Sequence, residues 1–174
     1  FHKGLADRYP ESFDPDVPED LVYSGSTALR DAVPGTPLDA GQLVLSPTRT
    51  YAPVIRKILE SHTPTEIHGM IHCSGGAQTK ILHFIDELHV IKDQMLPVPP
   101  LFELIQRESG TSWREMYQVF NCGHRMELYV PEAIADSLIE ISESFGIAAQ
   151  RIGRVEKSPE KKLTITSPYG TFTY

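Results

Sequence analysis

The sequence predicts one domain of α/β type in which strands and helices alternate, entered through an irregular N-terminal arm. Three observations carry this. Pro10, Pro15, Pro18, Pro34 and Pro37, with Asp and Gly between them, interrupt residues 1–41. From Gln42 onward, short apolar runs alternate with stretches whose apolar residues recur at three and four positions. Finally, the segment from Ile67 to Lys80 reads as an apolar strand that enters a glycine turn and continues directly into a helix.

Within the arm, Leu21-Val22-Tyr23 is expected as one short strand. Leu43-Val44-Leu45 reads as a buried strand, after which Ser46 caps a helix and Pro47 takes its first position. Tyr51, Val54, Ile55, Ile58 and Leu59 form the apolar face of that helix, which ends at His62–Pro64. The strand Ile67–His72 follows, then a helix over about 77–85, a strand near His89–Lys92 and a Pro-bounded helix over 100–108. Ser112-Trp113-Arg114-Glu115 fits a capping box that opens a short helix. Residues 125–130 alternate as a half-buried strand does. A helix then starts at Pro131, turns Ile134, Leu138, Ile141 and Phe145 inward, and stops at Gly146; 149–155 and 163–166 are closing strands.

The chain has 174 residues, 40% hydrophobic and 22% charged, enough for one domain with a real core. A net charge of −7 argues against a nucleic-acid backbone or an anionic membrane as the main partner. Local cations (Arg49, Lys80, Arg125) still lie near the unusual motifs. Two cysteines, Cys73 and Cys122, make neither a disulfide framework nor a four-thiolate zinc site; reduced thiols suit a cytoplasmic location. No apolar run approaches membrane-spanning length. A first residue of Phe rather than Met is expected of a fragment of something longer.

Three segments bear on chemistry. In His72-Cys73-Ser74-Gly75-Gly76-Ala77, the glycines allow positive φ and close backbone approach, and the following helix leaves its first N–H groups free. That combination suits a phosphate or another anion; an ordinary strand-to-helix connection is the plain alternative. A side chain at Gly76 is then expected to block the anion while sparing the fold. Thr48 and Arg49 are expected in the first turn of a helix, where a guanidinium can pair with phosphate. The alternative there is a solvated Arg. Asn121-Cys122-Gly123 reads first as a tight turn, and second as a place where Asn121 hydrogen-bonds a substrate. His68 and His72, four apart on a strand, stand too far apart for a zinc pair, so no metal ligands are assigned.

In order along the chain, these segments resemble one family. Leu45–Tyr51 resembles its Leu-x-Pro-Thr-Arg-Ile-Tyr segment, His68–Gly76 its His-Gly-Met-Ala-His-x-Thr-Gly-Gly segment, and Met116–Gly123 its Met-Tyr-Arg-Thr-Phe-Asn-x-Gly segment. Val98–Phe102 and Arg151–Val155 fall in the expected order as well. The family is AIR synthetase, phosphoribosylformylglycinamidine cyclo-ligase of purine biosynthesis, and the likeness covers about 42–156. Ala77 stands where the family usually has a third glycine, and His124 and Arg125 where it has a small or apolar pair.

The resemblance implies the family's C-terminal domain over 42–174: an α+β, layered α/β/α unit around a mixed sheet. It implies an ATP-dependent ligase forming aminoimidazole ribonucleotide, ADP and phosphate from formylglycinamidine ribonucleotide and ATP. ATP and Mg2+ are expected to be bound mainly by an N-terminal nucleotide-binding domain that this chain lacks, so the fragment alone is expected to be inactive. The expected partners are that domain and the ribonucleotide substrate, with a homodimer for the full-length enzyme, and no nucleic acid or membrane. His72 is the expected hydrogen-bond donor or proton carrier. Ser74, Gly75, Gly76 and Ala77 are expected to bind phosphate through backbone N–H groups, with Thr48 and Arg49, then Asn121, in support. Two alternatives remain: another ATP-dependent member of the superfamily, selenophosphate synthetase-like or hydrogenase-maturation-like, or a stand-alone phosphate-ligand binding module.

Overall fold

A computed structural model describes residues 1–174. The chain forms two compact units, Phe1–Thr48 with Val98–Ser112, and Arg49–Pro97 with Trp113–Tyr174.

Numbered in chain order, the helices of the first unit are α1 (Gly4–Arg8), α2 (Ala40–Leu45) and α4 (Pro100–Ser109). Its core is small, with Val33, Ala40 and Leu104 buried and Phe1 and Leu43 packed against them. Leu21-Val22-Tyr23 is not a strand: Glu19–Leu21 is a 3-10 turn that carries Val22 into the interior. Leu43-Val44-Leu45 is helix rather than strand. Asp39 accepts from the Gln42 N–H at 2.8 Å while Gln42 Oε1 accepts from the Asp39 N–H at 3.0 Å. That reciprocal cap nucleates α2 against the strand preference of the apolar run. Leu45 consequently lies 82% exposed. Glu108 holds the preceding arm by accepting from the Ser26 hydroxyl and the Thr27 hydroxyl, and these bonds with the Ser26 N–H pull its carboxyl down to about 2.

In the second unit, α3 (Ala52–Ser61) starts five residues later than expected, using Pro53 rather than Pro47 in its first turn. Val54 and Ile58 of α3 and Leu138 of α6 (Glu132–Ser144) are buried together, with Ile134, Ile141, Leu128 and Val130 packed around them. Each such fully buried aliphatic side chain contributes roughly 1.5–3 kcal/mol. Phe145 falls outside this face: it is the residue just after the last turn of α6 and is 47% exposed.

Strands β1 (Gly69–His72) and β3 (Met126–Tyr129) pair antiparallel as a two-stranded ribbon, with His72 opposite Met126 and Ile71 opposite Glu127. The larger sheet is mixed. Its order is β4 (Gly153–Lys157), β2 (Leu88–Lys92), β5 (Lys162–Ser167), β6 (Gly170–Thr173), with β2 and β5 parallel and the other pairs antiparallel. The expected strand over 149–155 is thus shifted to 153–157, and β6 has no counterpart among the expected elements. Helix α5 (Trp113–Val119) lies against the 3-10 helix Ala77–His83, and Tyr117 packs its ring 6.0 Å from that of Phe172 on β6. Helices together with a mixed sheet make an α+β fold.

Candidate functional site

Period-2 alternation places Met70 and His72 on the outer face of β1 and Ile71 and Cys73 inside. Burial and the nearby Glu127 carboxylate push the Cys73 thiol up to about 12, so it behaves as an inert core group. The chain then leaves the strand in a tight turn. The Ser74 N–H donates to the His72 carbonyl and the Ala77 N–H to the Ser74 carbonyl, each at 2.8 Å. Gly76 has φ +81° and Ala77 φ +43°, a consecutive left-handed pair that reverses the backbone into the helix.

The helix is a correction to expectation. It is a 3-10 helix over Ala77–His83, not an α-helix over 77–85. Of the four amides assigned to phosphate, those of Ser74 and Ala77 are engaged in the turn itself. Gly75 and Gly76 keep theirs free of backbone bonds.

Lys80 joins this turn from one turn downstream. Its Nζ donates to the Ser74 hydroxyl at 2.8 Å and to the His72 carbonyl at 3.2 Å. The His72 ring is exposed and makes no hydrogen bond within the chain. The resulting surface carries an imidazole, a hydroxyl, an ammonium and two glycine amides within nine consecutive residues, a combination able to hold an oxyanion.

The Asn121 segment is a tight turn. Asn121 Oδ1 accepts from the Gly123 N–H at 3.0 Å, and Cys122 (φ +49°) and Gly123 (φ +100°) are both left-handed. Gln78, immediately after the first turn, donates through Nε2 to the Asn121 carbonyl at 2.7 Å. The structure therefore ties Asn121 to the glycine turn through Gln78. Thr48 and Arg49 are not in the first turn of a helix: they lie exposed in the irregular 46–51 segment ahead of α3. Thr48 belongs to the first unit and Arg49 opens the second.

Beneath the turn is a buried polar cluster that sequence reasoning missed. Lys92 Nζ on β2 donates to Glu127 Oε1 on β3 at 2.6 Å, to the Gln78 carbonyl at 2.9 Å and to Gln78 Oε1 at 3.0 Å. Tyr129 donates its hydroxyl to Glu127 Oε2 at 2.8 Å, and burial with this carboxylate raises its phenol far above the ordinary range. Nearby, His124 Nε2 accepts the Leu96 N–H at 3.0 Å; burial lowers the imidazole to about 4. Alternation along 125–130 reads polar residues as outward, which hides Glu127. The signal available was Lys92, a cation that follows the apolar pair Val90-Ile91 at the end of β2.

With this geometry in place, sequence comparison supplies the class. The profile of the family described as AIR synthase related protein, C-terminal domain, matches residues 28–166, and the chain belongs to that family. The match takes in both turns and the cluster between them. Among curated relatives, a protein named phosphoribosylformylglycinamidine cyclo-ligase from Brevibacillus brevis is 34% identical over 144 residues, 81% of this chain and 41% of the relative. Proteins of the same name from Lawsonia intracellularis and Nitrosospira multiformis are 30% and 32% identical over 72% and 71% of this chain. The chain spans 35–41% of the length of these three relatives.

Proposed function

We propose that this chain is the C-terminal domain of a cyclo-ligase that converts formylglycinamidine ribonucleotide and ATP to aminoimidazole ribonucleotide, ADP and phosphate. The observation that carries the reading is the family match across 28–166, which includes the glycine turn and the Asn121 turn that Gln78 ties together. The relatives' shared name supplies the reaction. In it, ATP phosphorylates the amide oxygen of the substrate, and a nitrogen of the same molecule displaces phosphate to close the imidazole. Such a reaction relies on orientation and on stabilising phosphoryl charge rather than on a protein nucleophile.

In this reading, Gly75 and Gly76 offer N–H groups to a phosphate, Lys80 and Ser74 add charge and a hydroxyl, and His72 donates a hydrogen bond or carries a proton. Arg49 and Thr48, then Asn121, add binding in support. Nucleotide and Mg2+ are assigned mainly to an N-terminal domain of the longer protein. This chain gathers no group of three His, Cys, Asp or Glu side chains that could hold a metal ion. We assign the full-length protein to the cytoplasm as a homodimer; no helix of this chain is long and apolar enough to cross a membrane.

The test is an ATP-dependent cyclisation assay on the longer protein and on residues 1–174 alone. The longer protein turns substrate over and the isolated chain does not. Turnover by the isolated chain would sink the division of labour, and an inactive but folded longer protein would sink the reaction.

A further inference from the structure

Gln78 makes three polar contacts while fully buried. Its amide oxygen and its backbone carbonyl both accept from Lys92, and its amide nitrogen donates to the Asn121 carbonyl. An ammonium only donates and a carbonyl only accepts, so the amide has a single permitted orientation. Reversing it would set Nε2 against the Lys92 ammonium and Oε1 against the Asn121 carbonyl.

Lys92 is held in turn by Glu127, with side-chain exposures of 1% and 3%, and Glu127 is held by Tyr129. Apolar side chains of the same volume stabilise a core as well as a buried ion pair does, or better. What the pair adds is orientation. It fixes the acceptor side of Gln78 and leaves the donor side aimed at Asn121. The same Asn121 carbonyl accepts the His124 N–H at 3.0 Å, while the Asn121 side chain holds Gly123, so its position sets the whole second turn. At the other end, Gln78 directly follows Gly76 and Ala77, the two left-handed residues of the first turn. A shift of that backbone is carried into Gln78 by covalent connection.

We infer that Gln78 is a positioning residue that couples the Ser74–Gly76 turn to the Asn121–Gly123 turn, with the buried Lys92–Glu127 pair fixing its amide. The inference deepens the phosphate-turn reading and rests on it for the ligand, but not for the coupling. A phosphate that orders Gly75 and Gly76 thereby sets the Asn121 turn.

The experiment uses residues 1–174 and has two arms. The first, without ligand, follows amide hydrogen exchange in wild type and Gln78→Met, a change that keeps length and removes both polar ends. The Ala77 and His124 amides exchange about five- to tenfold faster, and Leu163, bonded to the Tyr174 carbonyl in the sheet, is unchanged. Acceleration of Ala77 alone, or of Leu163 equally, overturns the coupling. If Gln78→Met does not fold, the double variant Lys92→Met/Glu127→Leu answers the same question, since it leaves no lone buried charge.

The second arm titrates inorganic phosphate and reads the Gly75, Gly76 and Gly123 amide resonances. All three move together in wild type, and Gly123 stops following in Gln78→Met. Gly75 and Gly76 moving while Gly123 stays still in wild type overturns the inference, as does an unchanged Gly123 response in the variant. No movement at Gly75 or Gly76 removes the phosphate reading instead, and the exchange arm still decides the coupling.

Discussion

The Lys80 ammonium lies 2.8 Å from the Ser74 hydroxyl, which lays a positive charge across the turn between β1 and the 3-10 helix. The chain as a whole carries −7, so this local cation matters more to an anion than the overall field does. Lys80→Met is expected to weaken binding of inorganic phosphate roughly ten- to a hundredfold, the worth of one charge-assisted hydrogen bond at about 1.5–3 kcal/mol. Titration calorimetry measures the affinity and a thermal melt the stability. Unchanged affinity in a folded variant removes Lys80 from the site.

The two glycines of the turn respond differently. A Cβ on Gly75 meets no atom within 4 Å, and its backbone is not left-handed. Gly75→Ala is therefore expected to keep the melting temperature while hindering a ligand that approaches the backbone. Gly76 at φ +81° is another matter. A β-branched side chain there is strained by about 1–3 kcal/mol whatever the space, so Gly76→Val lowers stability. The expectation that a side chain at Gly76 spares the fold does not survive this φ. Weak binding with an unchanged melt in Gly75→Ala supports backbone approach, and full binding refutes it.

His72 and Arg49 are the two side chains that the sequence put forward first, and both are exposed. In the longer protein, His72→Ala and Arg49→Ala are each expected to reduce kcat/KM for the ribonucleotide about ten- to a hundredfold. Because neither ring nor guanidinium bonds to anything within this chain, the melts are expected to match wild type. Wild-type kinetics in both variants would take them out of the mechanism.

The helices α3 and α6 were legible because their apolar residues recur at three and four positions, α4 because prolines bound it, and the strands β1, β2, β3 and β5 as short apolar or alternating runs. Where the reading failed, a short polar signal outweighed an apolar run. The Asp39–Gln42 cap turned Leu43–Leu45 into helix, and Pro53 displaced Pro47 as the helix start. The glycine turn was visible as a motif, but neither the left-handed Ala77 at φ +43° nor the 3-10 character of the helix it opens is reported by any periodicity. The polar cluster under the turn was missed for a different reason. Lys92, Glu127 and Gln78 are each ordinary surface residues by type, and only their meeting across β2, β3 and the turn makes them interior.

His124 gives the fold a pH dependence with a definite sign. Burial, opposed by Glu127 and reinforced by Lys92, lowers its imidazole from the ordinary 6.5 to about 4. Between those values the unfolded chain binds a proton that the folded chain refuses, so stability rises with pH. The contribution is complete above about 6.5 and lost as pH falls toward 4, on the order of 3 kcal/mol in all. The carboxylates of Asp39, Glu66 and Glu108, pulled below their usual values, act at lower pH. Urea unfolding at pH 7, 5.5 and 4.5 is expected to show a steeper loss in wild type than in His124→Gln, which keeps an acceptor for the Leu96 N–H. Parallel pH profiles would falsify the assignment.

Gly153 is the position with least tolerance for a side chain. It opens β4 opposite Lys92, and a Cβ there would overlap the Ile91 carbonyl oxygen and sit 2.9 Å from the Lys92 Cα, both backbone atoms that cannot rotate away. Gly153→Ala must therefore push β4 off the edge of β2, at the residue that anchors Gln78. A loss on the order of 2–4 kcal/mol is expected. Gly110→Ala is the control: its Cβ meets nothing within 4 Å, so only the strain of φ +66° remains, roughly 1 kcal/mol. Thermal melts of the two variants compare the effects directly. Because the displacement reaches Lys92, Gly153→Ala is further expected to speed amide exchange at Ala77 and His124 at temperatures where the sheet is still folded. Equal stability of the two variants would mean that β4 yields at Gly153 without strain, and that the close approach of the two strands is not what holds this end of the sheet.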